Sequence, residues 1–188
     1  MNTVVVYASK YGSTKGIAEF IAEKLRQQGA QADAQEVGEV HNLEGYDAFV
    51  SGSAVYMTHW LKEAAEFVMR NRALLASHPV WLFSSGPLGT ETKDAQGRDV
   101  LVAAEPKEIA EFKVAINPCD HRVFFERLDA NKLAFGHRML RKMPAARTLF
   151  PEGDFRNWND IDAWAISIGR SLSSLISSKI TKQVMSGS

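Results

Sequence analysis

Cysteine is nearly missing from this chain of 188 residues: Cys119, in a Pro-Cys-Asp-His stretch, stands alone. That excludes an intramolecular disulfide and a multi-cysteine metal site, and the residue reads as an inert small side chain. Long apolar runs are missing too, and no stretch approaches the ~20 residues that cross a bilayer. There is no surplus of either charge, since 22 basic and 22 acidic side chains cancel; the overall footprint of a nucleic-acid binder is therefore lacking. His41, His59, His78, His121 and His137 show no i, i+4 pairing, so no metal site is expected. No G-x-S-x-G elbow accompanies the serines, which argues against a hydrolase. No repeat or signal-peptide pattern is visible, and scarce cysteine without a leader points to a reducing cytoplasm.

What is present is an alternation of short apolar strands and amphipathic helices in a length that suits one domain with a substantial core. The organising stretch is Val4 to Thr14. Val4 to Tyr7 is a β-branched strand. Ser9, Lys10, Tyr11, Gly12, Ser13 and Thr14 form a loop, and a helix over about 13–28 follows at once, with Ile17, Ala18, Ile21, Ala22 and Leu25 on one face and Gly29 as its stop. A strand-to-helix junction presents unpaired N–H groups and the positive end of the helix dipole, a natural place for a phosphate. Ser9, Ser13 and Thr14 add hydroxyl donors. The loop lacks both G-x-G-x-x-G and G-K-S/T, so neither a dinucleotide fingerprint nor a Walker loop is there. Alone, it would read as an ordinary capped helix start, with Ser13 or Thr14 as N-cap.

Further strands are expected over 30–37, 46–51 and 80–83, and a last central strand over 121–128. Helices are expected over about 61–75, 106–112, 130–143 and 159–178, with a strand piece at 114–116. The last helix carries Ile161, Trp164, Ala165, Ile168, Leu172, Leu175 and Ile176 on one face, and Trp158 and Trp164 read as its core anchors. This pattern gives a parallel sheet covered on both faces, with its strand-to-helix loops along one edge. The second such loop opens at Gly52 and holds Ser53, Ala54, Val55, Tyr56, Met57, Thr58, His59 and Trp60. The third holds Ser84, Ser85, Gly86, Pro87, Leu88 and Gly89.

V-V-V-Y-A-S-K-Y-G-S-T, S-G-S-A-V-Y-M-T-H-W and W-L-F-S-S-G-P-L-G, in this order, resemble flavodoxin-like proteins, in particular flavodoxin-domain proteins of the menaquinone-dependent protoporphyrinogen IX dehydrogenase type. The resemblance covers most of the chain. It implies a three-layer α/β/α sandwich with a five-stranded parallel sheet and a single domain over 1–180, while the polar end at 181–188 reads from its residues as a frayed tail. It implies noncovalent FMN, the phosphate on the first loop and the ring between the second and third. The cofactor-binding residues it marks are Ser9, Lys10, Tyr11, Gly12, Ser13, Thr14, Ser53, Ala54, Val55, Tyr56, Met57, Trp60, Ser84, Ser85, Gly86, Pro87 and Leu88. Tyr56 is expected in the ring slot; Trp60 divides between the ring and the core. No side chain is assigned the chemistry, which belongs to the flavin. The third loop lacks the aromatic many flavodoxins place there, leaving one ring face more open.

The implied activity is an FMN-dependent oxidoreductase of porphyrin biosynthesis that passes electrons from a small-molecule substrate to a quinone. The alternatives are a flavodoxin-type electron carrier, a general quinone reductase, or a cofactor-free binding or scaffold domain. Lys132, Arg138, Arg141, Lys142 and Arg147, without a local acid and interleaved with Leu133, Phe135, Met139, Leu140 and Met143, form a basic amphipathic stretch. It suits peripheral contact with the inner membrane face, or else a solvated helix surface.

Overall fold

A computed structural model of the chain describes residues 1–129, 131 and 151–186. Its elements are β1 (Asn2–Ala8), α1 (Ser13–Gln27), β2 (Gln31–Glu36), β3 (Ala48–Tyr56), β4 (His59–Trp60), α2 (Lys62–Arg70), α3 (Arg72–Leu75), β5 (Val80–Ser85), α4 (Val100–Ala103), α5 (Glu108–Ile116), β6 (Asp120–Phe124), β7 (Arg127–Leu128), β8 (Gly153–Asp154) and α6 (Trp158–Ser186). Five parallel strands lie in the order β2-β1-β3-β5-β6, and β4 folds back antiparallel on β3. The order reverses between β1 and β3, which is where open α/β sheets take ligands.

Alternation along each strand splits the core in two. Val5, Tyr7, Val50, Trp81 and Phe83 face α1 and α6, meeting Ile17, Ile21, Ile161, Trp164 and Ile168. Val4, Val6, Phe49, Val80 and Leu82 face the other way, onto Phe67, Val68, Leu75, Ile109, Phe112 and Ile116 of α2, α3 and α5. Central strands buried on both faces need continuous apolar runs, and V-V-V-Y and V-W-L-F are such runs.

Several boundaries differ from those expected. β3 continues past Ser51 to Tyr56 and β5 past Phe83 to Ser85, because Gly52, Ser53 and Ala54 pair with Phe83, Ser84 and Ser85. Gly52 sits in this strand because Phe83 lies over it; a Cβ there would overlap the ring. The second loop is therefore a hairpin whose two-residue turn is Met57-Thr58. The helix expected over 61–75 breaks at Asn71 into α2 and α3, which bury Ala64, Phe67, Val68 and Leu75. The strand piece expected at 114–116 is the end of α5: Ile109, Phe112 and Ile116 share one helical face, while Val114 is 89% exposed. α4, missed in the sequence, starts at Asp99, whose carboxylate accepts from Leu101 N and Val102 N. The strand expected over 121–128 stops at Phe124, and β7 pairs instead with β8. α6 runs to Ser186, through most of the segment expected to fray. The helix expected over 130–143 lies outside the described residues.

Candidate functional site

Strand register brings the three segments into one row at the sheet's carboxyl edge. Ala8 pairs beside Ser53, Ser53 beside Ser84, Ala54 beside Ser85, and Ser85 beside Phe124. Cross-links lock the row: Gly86 N donates to Phe124 O at 3.0 Å, and Glu126 N donates to Pro87 O at 3.1 Å.

At the first loop, Gly12 takes φ +86° and stands at the N-cap of α1, a conformation that favours glycine. Neither Ser13 nor Thr14 caps the helix: no side chain does, so the first-turn N–H groups stay open toward the edge. Ser9 turns inward, its Oγ accepting from Gly12 N at 3.1 Å. Ser13 Oγ accepts from Arg127 N at 2.8 Å, keeping its own O–H to donate. Thr14 is fully buried, and its Oγ1 has no hydrogen-bond partner. Ser85 Oγ, at the end of β5, is likewise buried and unpartnered. Buried hydroxyls are seldom left so without a reason.

Aromatics flank the edge where a ring is expected. Tyr56 ends β3, half-buried, with the Tyr11 ring 6.5 Å away edge-on and Lys10 Nζ 4.9 Å over its face. Burial, and after it the charge of Glu126, pushes the Tyr56 hydroxyl well above the ordinary phenol range. Val55 touches the space over Gly86, where a Cβ would come within 3.6 Å of its side chain. Pro87 and Leu88 are half-exposed beyond it, and Met57 at the hairpin tip is 93% exposed.

Trp60 resolves toward the core. It is buried, edge-on to Phe112 at 5.2 Å, and its Nε1 donates to Ser84 Oγ at 2.8 Å. Ser84 Oγ lies 2.9 Å from His121 Nε2, and His121 Nδ1 lies 3.3 Å from Glu105 Oε1. An indole only donates, so Ser84 accepts from it and gives its hydrogen to Nε2, leaving Nδ1–H to face Glu105. Burial holds the His121 pKa below its ordinary value against the opposing pull of Glu105, which fits a neutral ring. The Ser84 hydroxyl is thus spent within the protein. Ser53 Oγ is also engaged, accepting from Leu61 N at 3.0 Å.

A second acid holds the hairpin. Glu108 Oε1 is 2.6 Å from His59 Nδ1, and Oε2 accepts from Trp60 N at 3.2 Å. Burial would raise the Glu108 pKa, but the bonds from His59 and Trp60 outweigh it and hold it low. His59 is therefore a latch, half-exposed, rather than a group facing the slot. Glu105, Glu108 and Glu126 were not singled out in the sequence, and His121 was weighed only as a metal ligand. An acid two places past the apolar end of β6 falls on the same edge as the three loops, and that position was the signal for Glu126.

The strand order and the edge site define an α/β protein of the flavodoxin type, with a sheet of about five parallel strands. A family model described as "Flavodoxin domain" matches residues 4–148, and the chain belongs to that family. A curated relative, protoporphyrinogen IX dehydrogenase (quinone) of Escherichia coli K12, is 30% identical over 86 residues, 45% of this chain and 48% of that protein. The chain thus spans about half the length of the curated relatives it matches. Among solved structures, an archaeal flavodoxin superposes with TM-score 0.55 at 18% identity, over 92% of this chain and 99% of that one. The rubredoxin:oxygen oxidoreductase of Desulfovibrio gigas superposes with TM-score 0.57 at 15% identity, over 92% of this chain and 36% of that one. At these identities both show the fold alone.

Membership implies a flavin, usually FMN. The residues present fit that group: an uncapped helix start, a glycine-shaped turn and the unpartnered Thr14 hydroxyl suit a phosphate, and Tyr56 and Tyr11 suit a ring. No helix among the described residues is long and apolar enough to cross a membrane. The described residues also contain no cluster of His, Cys, Asp and Glu that would hold a metal.

Proposed function

We propose that this chain binds FMN noncovalently at the carboxyl edge of the sheet and acts as an oxidoreductase, passing electrons from a small-molecule substrate to a quinone. The observation that carries the reading is Thr14: a hydroxyl buried without a partner, in the first turn of an uncapped helix, at the point where the strand order reverses. A phosphate supplies what this hydroxyl and the open N–H groups lack. Bound there, the flavin supplies the electron-carrying chemistry. The chain's own part is to hold it: Ser13, Thr14 and Gly12 at the phosphate, and Tyr56, Tyr11, Gly86 and Pro87 about the ring.

The substrate rests on the partial likeness to protoporphyrinogen IX dehydrogenase, which favours a porphyrinogen as donor and a quinone as acceptor. Balanced charge also favours this over a soluble carrier, whose docking depends on strong net charge of one sign. The basic residues Lys132, Arg138, Arg141, Lys142 and Arg147 lie outside the described residues. They would bring the protein to an anionic leaflet at roughly 1 kcal/mol per cation near the surface.

The test starts with FMN and riboflavin titrations of wild type and a Thr14→Ala variant, since Ser9 is engaged by Gly12 N. FMN affinity falls in the variant by on the order of 1.5–3 kcal/mol per lost charge-assisted bond, and riboflavin affinity does not. Equal losses for both ligands, or protein that stays colourless with added FMN, would reject the site. Quinone reduction with a porphyrinogen donor then separates the enzyme from the carrier. Binding to anionic but not neutral vesicles, lost in Arg138→Gln, Arg141→Gln, Lys142→Gln, tests the membrane contact.

A further inference from the structure

The cleft holds one acid that the reading above leaves without a task. Glu126 stands two residues past β6, with its backbone fixed at both ends: its N–H donates to Pro87 O in the third segment, and its C=O accepts from Phe155 N at 3.2 Å. Its neighbour Arg127 donates from its backbone N–H to Ser13 Oγ. The residue is therefore held between the phosphate loop and the third loop, on the edge where the ring is expected. Its carboxyl is half-buried, has no hydrogen bond or ion pair among the described residues, and acts electrostatically on the Tyr56 hydroxyl across the cleft.

Among the described residues, the cations on the neighbouring segments are committed elsewhere. Arg127 Nη2 is 3.4 Å from Asp129 Oδ2. Arg156 is paired with Asp154 through its Nε at 2.7 Å and stacks on Trp158 at 4.3 Å. From the first loop, Lys10 lies over the Tyr56 and Tyr11 rings. Tyr56, held above the ordinary phenol range, brings no charge at physiological pH. With no cation paired to it among the described residues, this carboxyl is penalised by desolvation, and burial pushes Glu126 up to about 8. As a neutral acid it offers both a donor and an acceptor; as an anion it offers acceptors and a charge.

We propose that Glu126 is a proton-holding residue of the flavin cleft, which keeps its proton while an anionic flavin occupies the cleft, so that cofactor and proton bind together. This rests on the FMN reading, and it goes beyond it by making cofactor affinity depend on a side chain away from the phosphate loop. FMN carries two negative charges once its phosphate has titrated near pH 6. Ionising Glu126 beside it adds a like charge, so binding raises the pH at which Glu126 lets go. Between its free and bound titrations the protein takes up a proton as FMN enters.

The experiment is FMN titration by calorimetry on the full chain, near pH 8.5, in buffers of different ionisation enthalpy. At that pH the phosphate is fully charged and contributes nothing. Wild type takes up about half a proton or more per FMN, and its affinity falls roughly five- to tenfold between about pH 7 and 9. Glu126→Gln takes up none and changes affinity less than about twofold over that range. Wild type that binds FMN with no proton uptake overturns the proposal and leaves the FMN reading intact, whether or not the variant folds. Proton uptake that persists in Glu126→Gln assigns it to another group and also overturns it. Failure of both proteins to bind FMN rejects both ideas.

Discussion

Replacing Ser84 with Ala removes one oxygen from the middle of a buried chain, and the cost follows from what it leaves behind. Ser84 is fully buried, Trp60 is 4% exposed, and the His121 side chain is 4% exposed, so water replaces none of the lost bonds. The Trp60 N–H and His121 Nε2 each lose their partner. A buried polar group left unsatisfied costs about 1–3 kcal/mol. The removed hydroxyl no longer needs burying, which offsets part of this, so the net loss is about 2–4 kcal/mol. That is a large share of the roughly 5–15 kcal/mol typical of a domain. Urea unfolding measures it: with a slope of about 1–3 kcal/mol per molar, the midpoint drops by about 1–2 M without a change in slope. A Trp60→Phe background supplies the control, because the indole donor is already gone. There Ser84→Ala costs about 1 kcal/mol less, since the two residues share one bond. A loss under about 0.5 kcal/mol, or the same loss in both backgrounds, would refute the network.

Three further outcomes follow from geometry and charge. Gly52→Ala drives a methyl into the buried Phe83 ring and lowers stability by about 3 kcal/mol; a denaturation midpoint within error of wild type would contradict the packing. Met57 and Thr58 hold φ of 49° and 66°, a left-handed turn that costs L-residues about 1–2 kcal/mol each. Replacing the pair with Asn-Gly, the residues this turn favours, therefore raises the melting temperature, and a lower one would show that the native pair is held by contacts outweighing the strain. Burial pushes the folded Glu126 carboxyl up to about 8, from an ordinary glutamate value of about 4.5, so the folded state holds more protons between the two. Stability then falls as pH rises through that window: protein without added flavin loses about 2–3 kcal/mol between about pH 5 and 7 relative to Glu126→Gln, and the two run parallel below about pH 4. Parallel curves throughout would mean that Glu126 ionises freely.

The parallel sheet was legible because its central strands are buried on both faces, and V-V-V-Y, A-F-V-S and V-W-L-F leave little else to read. The first loop was legible for the same reason, since a helix with Ile17, Ile21 and Leu25 in register follows without a linker. The hairpin was not legible. Gly52-Ser53 resembles punctuation, yet this glycine makes room for Phe83 inside a strand, and Met57-Thr58 carries none of the usual hairpin residues. The division of Trp60 between ring and core turned on a partner 24 positions away, Ser84, which local pattern does not encode. The expected strand at 114–116 failed because two β-favouring residues, Val114 and Ile116, say less than the helical spacing of Ile109, Phe112 and Ile116. Glu126 was passed over because an isolated acid after a strand looks like solvent-facing polarity until its surroundings are known.

The chain that joins Trp60, Ser84, His121 and Glu105 has one polarity. Every hydrogen in it points from the hairpin toward Glu105, because the indole at its inner end has no lone pair with which to receive one. The chain is therefore a dead end for protons: Glu105 and the His121 edge can exchange with solvent, but nothing can be relayed past Ser84 toward the second segment. It behaves as an oriented strut, with its negative end at the surface beside Lys113, 3.0 Å from Glu105, and its positive end under Trp60.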